Sequence, residues 1–143
     1  MSKHKGIPSF KRESKELERV LKELPDVVGQ TAVDHAHDNF DREGFKDGGK
    51  IDKWQSRKDR KGNQGKNILV QTGQLKASID YDVSGKTVSV GSDKVYAKMH
   101  NEGGKTGRNH SVQMPQRKFM DNSKDIEEAV EKHLDNEMDK IFG

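Results

Sequence analysis

Apolar positions along the chain fall into two long helical stripes that bracket a middle region of short alternating runs. At the C-terminal end, "SKDIEEAVEKHLDNEMDKIF" sets Ile126, Ala129, Val130, Leu134, Met138 and Ile141 at steps of three and four. Ser123 is a natural N-cap, and acids occupy the first turn, where the helix dipole favours them. Near the other end, Leu17, Leu21, Leu24, Val28, Ala32, Ala36 and Phe40 keep near-helical spacing from about Ser14 to Glu43. Pro25 cannot donate to the carbonyl of Leu21 and pushes Leu24 away from the α region, and Gly29 weakens the same place. A break or kink near Leu24–Pro25 is expected, with a second helix starting at Pro25.

Between the stripes the period changes. From Asp41 to about Val70, glycine and charge mix without periodicity, and Trp54 is the one tryptophan in the loop expected there. That tryptophan is expected to fold back over the domain's own core. In "TGQLKASI", Thr72 caps a single turn that places Leu75 and Ile79 on one side. Ile79, Tyr81 and Val83 then alternate with aspartates; after "SGK", Val88 and Val90 alternate with Thr87 and Ser89, and Gly91 ends the run. This is a β-hairpin with one apolar face, which must pack on the helices to persist. "SDKVYAKMHNEGG" predicts a short helix capped by Ser92 or Asp93, with Val95 and Met99 as an apolar pair and Tyr96 and His100 as a second pair. Gly103 or Gly104 supplies the left-handed exit.

The fold class implied is α+β: an N-terminal helix or kinked helix pair and a long C-terminal helix, packed on a small antiparallel sheet that contains the central hairpin, with long loops. At 143 residues the chain fits a single domain spanning 1–143. Residues 1–13 are expected to be a disordered tail, and 41–70 and 103–113 flexible loops. Only 29% of residues are hydrophobic, and adding the 14 glycines still leaves the apolar share below the roughly 45–50% usual for globular domains. The core is therefore thin, and much surface is left for partners to cover. Without cysteine there is no disulfide and no thiolate site. The N-terminus is basic and polar and no long apolar run follows, so no export signal or membrane contact is expected.

The net charge of +3 is mild, but its distribution is uneven. Arg57 to Lys66 holds five basic residues and one acid, whereas Asp121 to Lys140 holds eight acids and three lysines. These segments are either solvated faces or surfaces that meet head to tail between copies. Candidate chemistry is weak throughout. Glu102 lies about 200° around a helix from His100, and His35 is as far from His37 in "DHAHD", so neither pair shares a ligand. The remaining pairs fall short of the three or four ligands zinc needs. "GNQGK" lacks the strand and the Ser/Thr of a phosphate loop. No cofactor or small-molecule substrate is implied. A small basic nucleic-acid-binding protein using "RKDRKGNQGK" is the alternative reading, although Trp54 is its single aromatic neighbour. A metal-dependent hydrolase is a third.

Taken in order, Trp54, "TGQLKASI" (72–79), a hairpin ending "VG" (90–91), "YAKMHNEGG" (96–104) and "MPQRKFM" (114–120) form a series. It resembles the virion morphogenesis, or tail-completion, family of tailed bacteriophages over about Trp54 to the end. The residues that carry the resemblance are Trp54, Thr72, Gly73, Leu75, Ile79, Gly91, Tyr96, Ala97, His100, Gly103, Gly104, Pro115, Arg117 and Phe119. Asn101 stands where a glutamine is common, and Gln116 and Lys118 replace the small residue and proline often seen around the arginine. The resemblance implies a non-enzymatic assembly protein of the head–tail junction, acting as a ring subunit with itself and with other junction proteins. It implies a virion location after assembly in the host cytoplasm, and no catalytic role for His100 or Arg117. Arg57, Lys58, Arg60, Lys61, Lys66 and Arg108 would then face acidic partner surface or, nonspecifically, DNA in the channel.

Overall fold

The computed structural model describes residues 9–55, 68–106 and 112–143, with the side chains of 68–72, 106 and 112–114 outside the description. Its longest element is α1 (Lys11–Arg42), followed by the hairpin β1 (Gly44–Asp47) and β2 (Lys50–Lys53). Next come α2 (Ile68–Ser78), the hairpin β3 (Asp80–Ser84) and β4 (Thr87–Gly91), and the short α3 (Ala97–Glu102). A third hairpin, β5 (Gly104–Thr106) with β6 (Val112–Met114), leads through an irregular strap, 115–120, to α4 (Lys124–Phe142). The architecture is α+β as the sequence predicts, with the sheet divided into three separate two-stranded antiparallel pairs among the described residues.

Several expectations need correction. α1 is helical without interruption through Pro25. The carbonyl that loses its donor belongs to Leu21, and Leu21 is exposed, so water can satisfy that group. The helix begins at Lys11, inside the segment expected to be a tail. β1 and β2 lie inside the expected 41–70 loop; their alternation was hidden because every residue of β2 is exposed. α2 starts before Thr72, so Thr72 sits within the helix and does not open it.

α1 runs antiparallel to α4. Arg12 donates to the carbonyl of Ile141 at 2.8 Å near one end of the pair, and Arg19 meets Glu137 at 3.0 Å. Within α4 only Ile141 is fully buried; Ile126, Val130, Leu134 and Met138 are half-covered and Ala129 is exposed. On α1 the expected Leu21 is exposed and its neighbour Val20 is buried instead. The fully enclosed core gathers on the C-terminal half of α1, where Val33, Ala36 and Phe40 meet Trp54, Leu75, Ile79 and Phe119. Tyr81, Val90, Ala97 and Met120 pack against its edge.

The β3–β4 hairpin lies across α1, in the register Tyr81↔Val90 and Val83↔Val88. Gly29 is what allows this approach. A Cβ added there would sit 2.2 Å from the Tyr81 ring, whose hydroxyl donates to Asp26 at 3.2 Å one turn earlier. The glycine that weakens the helix in sequence terms is thus the seat of an aromatic ring.

In an exposed helix interior, Gly→Ala stabilises by about 1 kcal/mol. At Gly29 the sign should reverse: Gly29→Ala is expected to destabilise by about 1–3 kcal/mol through overpacking. Denaturant melts of Gly29→Ala with and without Tyr81→Ser check this, since removing the ring should recover most of the loss.

Candidate functional site

Trp54, His100, Gly103, Pro115, Arg117 and Phe119 of the motif series gather at the strap that joins β6 to α4. The strap carries backbone donors and acceptors that must be paired when covered, and among the described residues it pairs with no strand. Side chains supply the partners. Asn101, on α3, accepts through Oδ1 from the N–H groups of Phe119 and Met120, both at 3.0 Å. Its Nδ2 donates to the carbonyl of Met120 at 3.0 Å. Asn39, fully buried on α1, donates to the carbonyl of Phe119 at 3.0 Å. The Trp54 indole N–H donates to the carbonyl of Lys118 at 2.8 Å, and the N–H of Arg117 donates to the carbonyl of His100 at 2.8 Å.

Held this way, Phe119 is driven into the core, where its ring lies 5.0 Å from that of Phe40, while Phe40 meets Trp54 edge-on at 5.2 Å. Arg117 is buried, and both Nε and an NH2 group donate to the carbonyl of Gln55 at 3.3 Å. The strap therefore clasps α1, α3 and the chain just after β2.

A second polar cluster continues beneath it. Asn39 Oδ1 accepts from the N–H of Lys46 at 3.1 Å and from Arg42. His35 contacts the carbonyl of Lys46 through Nε2 at 2.8 Å and Asn39 Nδ2 through Nδ1 at 3.3 Å. Both contacts are satisfied together when the ring is neutral with its proton on Nε2. Ser123 caps α4 as expected and also donates to the carbonyl of Lys46 at 2.9 Å. Asp125 accepts from the N–H of Gly48 at 2.9 Å and pairs with Lys46 at 3.3 Å. Burial alone would raise its pKa, yet these donors hold it below the usual carboxylate value.

The "YAKMHNEGG" stretch forms a helix, but a shorter one than expected. α3 starts after Tyr96 with no side-chain cap; Ser92 accepts instead from the N–H of Lys94, in the turn before it. Val95 is 97% exposed, so the predicted Val95–Met99 stripe does not form. The second pair does: the Tyr96 and His100 rings meet edge-on at 5.7 Å. Gly103 takes φ +72°, and a Cβ there would meet the backbone N of Gln116 at 2.8 Å, so the strap passes directly over it.

Of the motif residues, Trp54, Leu75, Ile79 and Phe119 are core, and Ala97 borders it. His100, Gly103 and Arg117 hold the strap, Pro115 is half-buried at its start, and Gly104 opens β5. Gly73 and Gly91 face open space. Sequence reasoning missed Asn39 and singled out Asn101 only as a departure. The one signal for Asn39 was an amide on the apolar side of a helix, between Ala36 and Phe40. Arg57, Lys58, Arg60, Lys61, Lys66 and Arg108 lie outside the described residues.

Among the described residues no three His, Asp or Glu side chains gather closely enough to hold a metal ion, and no helix is long and apolar enough to cross a membrane. His35 of "DHAHD" is engaged in the polar cluster; His37 Nε2 is buried without a hydrogen-bond partner among the described residues. A family model described as the phage virion morphogenesis family matches residues 10–139. No curated protein and no solved structure gives a significant match.

Two outcomes follow from the clasp. Asn101→Ala strips the partners from two strap N–H groups and is expected to cost about 1–3 kcal/mol in chemical denaturation; an unchanged midpoint would reject the clasp. Burial, with the nearby Arg117 charge, holds His100 below the ordinary histidine value. Its contribution to stability is present above the unfolded value of about 6.5 and is lost as pH falls from there through the lowered folded value. Melts at pH 7.5 and pH 5 should show wild type losing more stability than His100→Gln on acidification.

Proposed function

The chain belongs to the phage virion morphogenesis family, a role in building the virion follows, and on that premise we propose that it is a non-enzymatic subunit of the head–tail junction. It completes the tail as one member of a ring, assembled in the host cytoplasm and retained in the virion, with itself and other junction or tail proteins as partners. The observation that carries this reading is how the motif side chains are used. Trp54, Leu75, Ile79 and Phe119 fill the core, the Arg117 guanidinium holds the carbonyl of Gln55, and the His100 ring packs on Tyr96. Groups committed in this way build a scaffold that presents its outer surfaces.

One such surface is α4. Glu128, Glu131, Asp135 and Asp139 share a side of the helix, are exposed, and have no ion pair among the described residues. Like charges at this spacing oppose helix formation by a few tenths of a kcal/mol per pair, so a stripe of them is better tolerated opposite positive charge. The basic residues Arg57, Lys58, Arg60 and Lys61 of the next subunit are assigned as that charge, with Lys66 and Arg108 facing partner protein or DNA in the channel. A contact between unlike surfaces repeats head to tail, and gives a ring where the rotation between copies closes.

Lysates of a phage lacking this protein are expected to hold filled heads and tails that remain unjoined, and purified protein added to them should restore joined particles. Joined, infectious particles without it would overturn the reading. The charge contact has its own test. Glu128→Lys, Glu131→Lys and Asp135→Lys together should abolish annuli in negative-stain images, and adding Arg57→Glu, Arg60→Glu and Lys61→Glu on the same chain should restore them. If salt-dependent DNA binding appears and the charge swap has no effect on annuli, the basic segment serves nucleic acid instead.

A further inference from the structure

The β3–β4 hairpin has two outer edges, and they are not equivalent. A two-residue turn, Gly85–Lys86, joins Ser84 and Thr87, which are paired across the ladder. From that closing pair, hydrogen-bonded and non-hydrogen-bonded pairs alternate. Ser84↔Thr87, Asp82↔Ser89 and Asp80↔Gly91 therefore use their backbone groups inside the hairpin, whereas those of Tyr81, Val83, Val88 and Val90 point outward. On β3 the Tyr81 N–H is already taken by the Asp80 carboxylate at 2.8 Å. On β4 the outward groups of Val88 and Val90 have no hydrogen-bond partner among the described residues.

The side chains sort the edges in the same way. β4 presents Thr87 and Ser89 to solvent and carries no charge; β3 presents Asp80 and Asp82. Elsewhere, β2 carries Lys50, Asp52 and Lys53, the charged dressing that commonly discourages edge pairing. Among the described residues β4 is thus a short, uncharged edge left unpaired, in a two-stranded sheet too small to be stable unsupported.

We propose that β4 is a self-association surface, on which a second copy of this chain pairs its own β4 antiparallel about a two-fold axis through Ser89. In this register Val88 stands opposite the second copy's Val90, and each of these pairs exchanges both backbone hydrogen bonds. The outward groups match in parity, so four bonds form without changing either hairpin. The valines of both copies fall on the face that packs against α1, and Ser89 meets its own symmetry mate on the other face. The corresponding pairing through β3 would set Asp82 against Asp82, a like-charge contact that destabilises a ladder. A two-fold contact closes on itself. It makes a dimer of the free subunit, is separate from the repeating ring contact, and stands without the head–tail reading.

The chain has no native cysteine, so single-cysteine variants report the pairing cleanly. Ser89 is exposed, and non-hydrogen-bonded antiparallel partners lie about 4.5 Å apart at Cα, within disulfide reach. Full-length Ser89→Cys under mild oxidation is expected to give a covalent dimer at least tenfold faster than Asp82→Cys, its neighbour across the hairpin. Sedimentation of the unmodified protein should show a concentration-dependent dimer. Ser89→Lys can pair with its own Asp82, so the hairpin is kept, and it should shift this equilibrium toward monomer. Equal cross-linking of the two cysteine variants, or a wild-type protein monomeric at a concentration of about 100 μM, would overturn the proposal. Loss of annuli with the dimer intact would count only against the ring.

Discussion

Everything else in the structure depends on the pairing of the strap 115–120. Among the described residues it has no strand neighbour, yet Phe119 near its end is fully buried. Covering a backbone whose polar groups lack partners costs several kcal/mol, more than one buried phenyl ring returns. Two asparagines remove that cost: Asn101 takes three of the strap's backbone groups and Asn39 takes one. The Trp54 indole takes another. With those bonds made, the ring can enter the core and close it over Phe40.

The same requirement explains why the core is small and where it lies. α1 is long enough to meet every large element, but the main core cluster sits on its second half, where the strap, α2 and Trp54 converge, and Val20 is buried apart from it in the first half. Its first half has α4 as its neighbour and is joined to it through Arg12 and Arg19. The Arg19–Glu137 bond holds the Glu137 carboxyl below its usual pKa, though exposed ion pairs of this kind contribute little to stability. Among the described residues the outer face of α4 is exposed and the outer edge of β4 is unpaired, and these are the surfaces proposed for assembly.

Much of the fold was legible from periodicity. The α4 stripe and its Ser123 cap, and the alternation of Tyr81, Val83, Val88 and Val90, each follow from local spacing alone. Where that reading failed, a local rule met a tertiary circumstance. Pro25 did not break α1, and Leu21, whose carbonyl it deprives of a donor, is an exposed residue. The β1–β2 hairpin escaped notice because its exposed second strand shows no alternation. Val95 was placed on an apolar stripe although the helix does not begin until Ala97.

By itself, then, the sequence determined the types of the long elements, the sparse apolar content, the opposed basic and acidic segments, and the ordered motifs that point to the family. These are properties of residue spacing and composition, which act over one or two turns or along a single strand. Only the tertiary structure decided that Gly29 seats Tyr81, that Asn39 and Asn101 pair the backbone of the strap, and that the outer edge of β4 finds no partner among the described residues. Each depends on which backbone group of a distant segment lies within hydrogen-bond or van der Waals reach. That proximity is set by how whole elements pack, and no local pattern encodes it.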